Sequence, residues 1–340
     1  MSWRKNVEVK MNFMAFAKGA LLASLLVSGF AGWGISVAQT YPSRPIAIVV
    51  PFPAGGNMDA FVRVVAEKLS PRLGQSVVVE NRAGASGGTG TASVARAAPD
   101  GYTLLNAAQT QYAALPNLRP DVGYDPLKSF APISLVAYNP PIWLVARASI
   151  PVSNLKELVA YAKANPGKLN FGSDGLGTST HVNFEHLKKA AGIDIVHIPY
   201  QGTAPMMTAL LGGQIEMAYV LLPGPLEQIR SGKLKAIASA APTRVDPDKN
   251  LMTVAEQGYP GFDYRGWYGI VAPAGTPKNV VDRLNRELVT VMNDADLIQR
   301  IKPFGFEVAG TPPNVLADAI REEFTAWKKI VADLNLKQSN

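Results

Sequence analysis

The chain contains no cysteine among its 340 residues. This absence excludes a disulfide framework, a thiolate metal site and a lipid anchor on a cysteine, so the hydrophobic core must stabilise the fold. The sequence also lacks a Lys/Arg cluster interleaved with aromatic residues, and we therefore expect no nucleic-acid partner. The formal net charge is +7 at pH 7, and a modest positive field of this kind suits an anionic solute.

Charged side chains are also missing from a stretch near the N-terminus. Residues 19–37 are uncharged and mostly apolar, they follow four basic residues, and they lead into the small-residue sequence Ser36-Val37-Ala38. This pattern predicts a secretory signal peptide, residues 1–38, that is cleaved after Ala38. Cleavage removes the four basic residues and Glu8, which lowers the net charge from +7 to +4. The alternative is a permanent membrane anchor, because an uncleaved apolar run of about twenty residues can span a bilayer.

Motifs for enzymatic chemistry are absent as well. The sequence has no P-loop ending in Gly-Lys-Ser/Thr, no Gly-x-Ser-x-Gly elbow and no complete Gly-x-Gly-x-x-Gly opening with an acid about twenty residues further on. His181, Glu185 and His186 share a predicted helix, but their spacing matches no zinc-protease helix and a third metal ligand would have to come from elsewhere. We expect no metal, no cofactor and no catalysis, with a hydrolase kept as an alternative.

The sequence does contain four turns rich in Gly, Ser or Thr, each placed between an apolar strand and a helical pattern. They cover residues 53–57, 84–90, 173–180 and 200–205. The alternation predicts an α/β fold in which mainly parallel sheets are flanked by helices. Such turns collect at the carboxyl edge of a sheet, and the free N–H groups of helix starts favour anions. We expect the turns to meet in one cleft for a small acidic ligand, although the glycines of any one turn are equally explained by tight geometry.

Two positions indicate that the chain changes sheets. Pro140-Pro141 separates two apolar strands, and a Pro pair there is typical of a crossing point rather than of a continuous sheet. The apolar run 267–272 is predicted to be a strand that returns to the first sheet. We therefore predict a discontinuous first lobe, residues 41–140 plus 267–340, and a second lobe, residues 141–266.

Blocks of residues spread over the mature chain resemble one known family. They are Tyr41-Pro42-Ser43-Arg44-Pro45-Ile46, Val49-Val50-Pro51-Phe52-Pro53-Ala54-Gly55-Gly56 with Asp59, Val78-Val79-Glu80-Asn81-Arg82-Ala83-Gly84-Ala85, Ala98-Pro99-Asp100-Gly101-Tyr102-Thr103-Leu104, Gly177-Thr178-Ser179 with His181, and His197-Ile198-Pro199-Tyr200 with Gly202. Their order and spacing resemble the periplasmic receptors of tripartite tricarboxylate transporters, often called Bug proteins.

This resemblance implies a two-lobed, Venus-flytrap periplasmic binding protein. Such a receptor captures a small aliphatic or aromatic carboxylate and delivers it to integral-membrane permease subunits. The resemblance also implies recognition by backbone N–H groups, hydroxyls and water rather than by a buried arginine. We expect a monomer, and an extracytoplasmic sensor for a signalling partner remains the alternative.

The candidate ligand-binding residues lie in or near the turns. They are Phe52, Ala54, Gly55, Gly56, Asn57, Asp59, Ser86, Gln109, Thr178, Ser179, His181, Tyr200, Gly202, Thr203 and Tyr219. Some have a structural alternative: Asp59 as a helix N-cap or first-turn acid and at least one of residues 178–180 as a cap. Phe52, Tyr200 and Tyr219 are equally explained as core residues. The sequence departs from the family pattern at Asn57-Met58 and at Asp174-Gly175-Leu176. These changes alter the cleft wall, so the identity of the ligand does not follow from the resemblance, and we expect Asn57-Met58 to be the first determinant of this chain's own specificity.

Overall fold

The computed structural model describes residues 41–245, 248–262 and 266–334, and the predicted signal peptide lies outside these ranges. The strands are β1 (Ile46–Val50), β2 (Val77–Asn81), β3 (Thr103–Ala108), β4 (Phe130–Tyr138), β5 (Ile142–Arg147), β6 (Asn170–Ser173), β7 (Val196–Pro199), β8 (Met217–Leu221), β9 (Leu234–Ser239), β10 (Trp267–Pro273) and β11 (Glu307–Val308). The α-helices are α1 (Asn57–Leu73), α2 (Gly88–Ala95), α3 (Leu115–Leu118), α4 (Leu155–Ala164), α5 (Ser179–Ala191), α6 (Thr203–Leu211), α7 (Leu226–Arg230), α8 (Lys278–Met292), α9 (Ala295–Ile301) and α10 (Pro313–Leu334). A 3₁₀ turn (Ala85–Gly87) precedes α2, and a π-helical turn (Thr110–Ala114) precedes α3.

The first sheet has six strands in the order β11-β4-β10-β3-β1-β2. Strand β1 lies between β2 and β3 and runs parallel to both, with Ile48 opposite Val79 on one side and Leu104 on the other. Strand β10 is antiparallel to β3 and to β4. Because the chain leaves β1 to one side and returns on the other, the carboxyl end of β1 is a topological switch point.

The second sheet has five strands in the order β7-β6-β8-β5-β9. Strand β6 is parallel to β7 and to β8, whereas β5 is antiparallel to β8 and to β9. The carboxyl end of β6 is therefore a second switch point. We call the six-stranded sheet and its helices α1–α3 and α8–α10 lobe 1, and the five-stranded sheet and its helices α4–α7 lobe 2.

The predicted α/β fold of two helix-flanked sheets is present, but both sheets are mixed rather than mainly parallel. The antiparallel strands are the ones next to the chain crossings: β4 leads directly into β5 through residues 139–141, and β10 re-enters the first sheet antiparallel to both neighbours. A buried strand is apolar whichever direction it runs, so the hydrophobic pattern could not indicate strand direction.

Strand β5 shows how the core of lobe 2 follows from the sequence. Successive side chains of a strand point to opposite faces, and Leu144 packs with Phe171 on one face while Val145 packs with Met206 on the other. Helices α4 and α5 cover the first face and α6 covers the second. Because both faces are buried, the strand is apolar throughout rather than alternating.

The two lobes also contact each other away from the crossings. Val182 of α5 packs against Leu118 and Trp327 of lobe 1. At the crossings, the Asn139 N–H donates to the carbonyl of Gly266 at 2.7 Å. Within the described part of the chain, no helix combines the length and apolar character needed to cross a bilayer.

Candidate functional site

A cavity of about 570 Å³ lies between the facing edges of the two sheets. Its walls come from the turns after β1 and β2 of lobe 1 and after β6 and β7 of lobe 2, with a fifth segment at α3. The lining residues are Phe52, Pro53, Ala83, Gly84, Ala85, Ser86, Gly87, Leu115, Leu118, Arg119, Asp174, Gly175, Leu176, Gly177, His181, Pro199, Tyr200, Gln201 and Gly202. The volume falls within the range of about 300–1,000 Å³ that is usual for small-molecule sites.

All four predicted turns therefore contribute to one cavity. They are the βα turns of the parallel strand pairs β1/β2 and β6/β7, whose carboxyl ends face the cleft. A second cavity, of about 640 Å³, lies beside the chain crossings and is lined by residues such as Tyr138, Leu226 and Lys302. It is larger, but it lies away from the four βα turns, so we assign the site to the first cavity.

In the first turn, Asp59 organises the backbone rather than facing the ligand. Its carboxylate accepts the Gly55 N–H at 2.9 Å, the Asn81 side-chain amide at 2.9 Å and the Arg63 guanidinium at 3.0 Å. Burial raises the pKa of Asp59, but these hydrogen bonds and the charge of Arg63 outweigh it, so the pKa lies below its usual value. The anion position at the start of α1 is thus filled by the protein's own carboxylate.

The other candidates of this turn occupy two different positions. Phe52 lines the cavity, whereas Ala54, Gly55 and Gly56 are exposed and Asn57 is half-buried outside the cavity lining. Besides its bond to Asp59, the Asn81 amide donates to the Phe52 carbonyl at 3.2 Å. The first turn is therefore tied to the end of β2, where the second turn begins.

The second turn carries the strained backbone of the site. Ala85 (φ +47°) and Ser86 (φ +53°) are the residues other than glycine with positive φ in the described ranges, and the left-handed region costs such residues roughly 1–2 kcal/mol each. The amide of Gln111, in the π-helical turn, donates to the Ser86 carbonyl at 3.4 Å. A Cβ at Gly87 would lie 2.3 Å from the same amide nitrogen, so only glycine fits against Gln111.

Ser86 also bridges the cleft. Its hydroxyl donates to the Leu176 carbonyl of lobe 2 at 2.8 Å. A Cβ at Gly175 would approach the Ser86 hydroxyl to 3.0 Å, and a Cβ at Gly177 would approach Leu118 to 2.5 Å. The two lobes are therefore in direct contact at this edge of the cavity.

In the third turn, the hydroxyls are used to build the turn. Thr178 caps α5 by accepting the His181 N–H at 3.4 Å, and its hydroxyl donates to the Gly175 carbonyl at 2.8 Å. The Thr180 hydroxyl donates to Asp174 Oδ1 at 2.5 Å. Thr178 is thus the cap that was predicted among residues 178–180, and neither it nor Ser179 lines the cavity.

His181 lines the cavity as a neutral ring. Burial and the nearby Lys188 charge lower the pKa of His181 to about 4. Nδ1 accepts the Gly177 N–H at 3.1 Å, which places the proton on Nε2, and Nε2 has no hydrogen-bond partner among the described residues. The ring therefore offers a neutral N–H donor.

A stack of rings holds His181 in place. His197 lies against His181 with 4.0 Å between ring centroids, and Phe171 and Phe184 continue the stack into the core of lobe 2. His197 Nε2 is 2.6 Å from the Ser173 hydroxyl. Burial and the neighbouring His181 and Lys188 lower the pKa of His197 to about 3.

In the fourth turn, Tyr200 and Gly202 line the cavity, whereas Thr203 is exposed at the start of α6. The Gly202 N–H donates to the Asp174 carbonyl at 3.1 Å, which ties this turn to the third one. We call the tied turns of lobe 1 (residues 51–57 and 82–87) and those of lobe 2 (residues 174–178 and 200–202) the two jaws.

Gln109 and Tyr219 are placed away from the cavity. Gln109 is buried at the end of β3. Tyr219 is fully buried in the core of lobe 2, where its ring lies edge-on to Phe184. Tyr219 lies within β8, where the side chain points to a covered face of the sheet, whereas Gln109 has helical backbone angles and lies at the start of the π-helical turn.

Sequence reasoning missed the segment that follows the π-helical turn. Leu115, Leu118 and Arg119 line the cavity although none of them belongs to a predicted turn. Arg119 is exposed, and its Nε lies 3.9 Å from Asp121 Oδ1. The four turns themselves contain no Lys or Arg, so Arg119 is the cation among the lining residues. Arg119 lies in a connection that contains several prolines, residues 115–132, and this connection was the available signal in the sequence.

The described ranges contain no group of three or more His, Cys, Asp or Glu side chains arranged to hold a metal ion. Glu185, which shares a helix with His181 and His186, pairs with Lys188 at 2.8 Å instead. His186 stacks on Phe262 with 4.3 Å between centroids.

The fold and the cleft define the class of two-lobed periplasmic binding proteins. The solved structure of the periplasmic binding protein BugD superposes with a TM-score of 0.81 at 39% sequence identity, covering 88% of this chain and 100% of that chain. MatC from Rhodopseudomonas palustris, solved with bound malate, superposes with a TM-score of 0.79 at 32% identity, covering 86% of this chain and 100% of that one.

Sequence comparison gives the family. The family described as the tripartite tricarboxylate transporter family receptor matches residues 61–336, and the chain belongs to it. BugT of Bordetella pertussis is 36% identical over 301 residues, which is 88% of this chain and 92% of that protein. The family resemblance inferred from the sequence blocks is confirmed.

Proposed function

We propose that this protein is the receptor of a tripartite tricarboxylate-type transporter. The protein captures a small carboxylate in the cleft between its lobes and delivers this solute to membrane permease subunits. The observation that carries the proposal is the convergence of four βα turns from two sheets on one cavity. The malate in the solved MatC structure supports a carboxylate ligand here as well.

One of the four helix starts, that of α6, is available to an anion. Helix α6 follows its N-cap Gly202 and has neither a side-chain cap nor an acid in its first turn, whereas the first N–H groups of α2 already donate to the preceding 3₁₀ turn, with the Thr89 N–H bonded to the Gly84 carbonyl at 3.3 Å. Gly202 lines the cavity, so the start of α6 can receive a ligand carboxylate. Arg119 and the neutral N–H of His181 add donors, and charge-assisted hydrogen bonds of this kind strengthen when the cleft closes.

We propose a smaller set of ligand contacts than the turns alone indicate. Of the residues predicted from the sequence, this set retains Phe52, Ser86, His181, Tyr200 and Gly202. From the cavity lining, it adds Arg119, Asp174 and Gln201. Asp59 and Thr178 support the turns from behind.

The proposal includes the remaining features of a binding protein of this class. Residues 1–38 are a signal peptide that directs the chain to the periplasm, and the mature protein is a monomer without enzymatic activity. Residues 41–140 plus 267–340 form one lobe and residues 141–266 the other. The strand membership of the two sheets supports these boundaries.

Thermal unfolding and isothermal titration of the mature protein against aliphatic and aromatic mono-, di- and tricarboxylates and neutral amides test the ligand class. A carboxylate at a hundredfold excess over its Kd should stabilise the fold by about 2.7 kcal/mol. Stabilisation by a neutral amide and by no carboxylate would contradict the proposal. Consumption of the bound carboxylate, followed by NMR, would indicate a hydrolase.

The transport role needs a separate experiment in cells. Deletion of the gene should abolish uptake of the radiolabelled carboxylate identified above, and a plasmid copy should restore it. Normal uptake with loss of a transcriptional response to the same solute would instead indicate a sensor, which would bind its ligand in the same way.

A further inference from the structure

Asp174 gives the cavity an unpaired negative charge. Among the lining side chains, the charged ones are Asp174 in lobe 2 and Arg119 in lobe 1, and His181 is neutral. Asp174 and Arg119 do not pair with each other, and Asp174 forms no ion pair with any residue of the described ranges. The cavity therefore has an acceptor on one wall and a cation on the other.

The carboxylate of Asp174 is fixed at one oxygen and free at the other. Oδ1 accepts the Thr180 hydroxyl at 2.5 Å, and the backbone of Asp174 is held by Gly202 and by Thr180. Oδ2 has no hydrogen-bond partner in the part of the chain that the structure describes. The bond to Thr180 thus explains the position of the carboxylate but leaves one anionic acceptor unsatisfied.

A ligand that fills the cavity displaces water from this acceptor. A charge that loses its water is unfavourable unless a donor replaces it. A cationic donor on the ligand supplies that replacement and gains a charge-assisted hydrogen bond. A second ligand carboxylate near Asp174 would instead place two like charges together, which is unfavourable in a site shielded from water.

We propose that Asp174 selects solutes that carry a protonated amine together with their carboxylate. The ligand carboxylate faces Arg119 of lobe 1, and the ammonium group faces Asp174 Oδ2 of lobe 2. The inference rests on the proposed function, since it specifies the second functional group of the carboxylate that the receptor captures. It also gives a physical role to a position where the sequence departs from the family pattern.

Matched ligand pairs test this inference by isothermal titration of the mature protein. The pairs have equal chain length and differ in one terminal group: succinate with 4-aminobutyrate, glutarate with 5-aminopentanoate, and adipate with 6-aminohexanoate. We expect the amino member of at least one pair to bind at least tenfold more tightly than its dicarboxylate, which corresponds to about 1.4 kcal/mol.

The variant Asp174→Asn keeps the shape of the side chain and its bond from Thr180 but removes the charge. It should weaken the amino ligand at least tenfold and strengthen binding of the dicarboxylate, because the like charge beside the second carboxylate is gone. Asp282→Asn, at an exposed position of α8 where the carboxylate pairs with Lys278, is the control for loss of one negative charge and should change neither affinity. The wild-type comparison of each pair does not depend on the variant's folding.

The outcomes separate this inference from the proposed function. Dicarboxylates that bind the wild type as tightly as their amino partners, or equal weakening of both classes by Asp174→Asn, would overturn the selection by Asp174 and leave carboxylate capture intact. Absence of binding by every carboxylate in the pairs and in the wider panel would overturn both.

Discussion

Gly177 is a point where a single methyl group should separate ligand affinity from fold stability. The residue has φ +73°, and a Cβ added there would lie 2.5 Å from Leu118 Cδ1, which is 0.9 Å below the 3.4 Å at which ordinary contact begins. Gly177 belongs to lobe 2 and Leu118 to lobe 1, so we expect this clash to oppose closure of the cleft. The left-handed backbone conformation of Gly177, in contrast, is local to lobe 2, and we expect its cost not to depend on closure.

The two effects of Gly177→Ala can be estimated separately. Left-handed backbone costs alanine roughly 1–2 kcal/mol, and this should appear as a loss of unfolding free energy in the ligand-free protein. Overpacking of a closed contact costs about 1–3 kcal/mol, and this should appear in binding, as a Kd raised about 5- to 150-fold.

Truncation of Leu118 provides the test. In the Leu118→Ala background the space opposite Gly177 is open, so Gly177→Ala should lose most of its effect on Kd while keeping its effect on stability. Titration with the tightest carboxylate of the panel and urea unfolding of the four proteins measure both quantities as a double-mutant cycle. A coupling in Kd below about 0.5 kcal/mol would refute the assignment of this contact to cleft closure.

Three further outcomes follow from hydrogen bonds and buried rings at the jaws. Asp59→Asn should destabilise the protein by about 1–3 kcal/mol at pH 7 in urea unfolding. Because the pKa of Asp59 is lowered in the folded protein, the stability difference between wild type and variant should disappear as pH falls from about 4 through the folded pKa. A stability difference that persists at lower pH would contradict the role assigned to Asp59. The pKa values of His181 and His197 lie near 4 and 3, below the value of about 6.5 in an unfolded chain. The free energy of unfolding should therefore fall as pH decreases from 6.5 toward 4. An NMR titration that shows either ring charged at pH 6 would be inconsistent with burial. Ser86→Ala removes the hydrogen bond to the Leu176 carbonyl and should raise Kd about 2- to 10-fold. The unfolding midpoint of the ligand-free protein should not change. An unchanged Kd would show that this hydrogen bond does not support closure of the cleft.

The order of strands and helices could largely be predicted from the sequence, because apolar runs and Gly-rich turns alternate regularly. The apolar run 46–50 and the helical pattern 313–334 predict β1 and α10, and both elements have these bounds in the structure. The sequence pattern predicts that α5 begins at His181, but the helix begins two residues earlier because Thr178, which was assigned to the turn, caps it. Strand β11 has two residues and is too short to produce a periodic pattern.

Prediction of the site was less complete for two physical reasons. Asp59 and Thr178 carry polar groups of the kind that contact ligands, but hydrogen bonds within their own turns, to Gly55 and Gly175, already use these groups. The sequence does not show whether a polar group is already paired in this way. Arg119 lines the cavity because a π-helical turn and a short helix bring it to the cleft, a tertiary placement that local patterns do not indicate.

Each jaw is held together by bonds that lie behind the cavity wall: Asp59 and Asn81 connect the turns of lobe 1, and the Asp174 carbonyl connects those of lobe 2. The framework that sets the shape of the cleft is thus separate from the side chains that a solute touches. Substitutions at lining positions on opposite jaws that do not contact each other should change affinity additively. Such a receptor can acquire a new ligand through a few substitutions at cavity-lining positions. Each substitution is tolerated on its own, so no intermediate variant loses the fold.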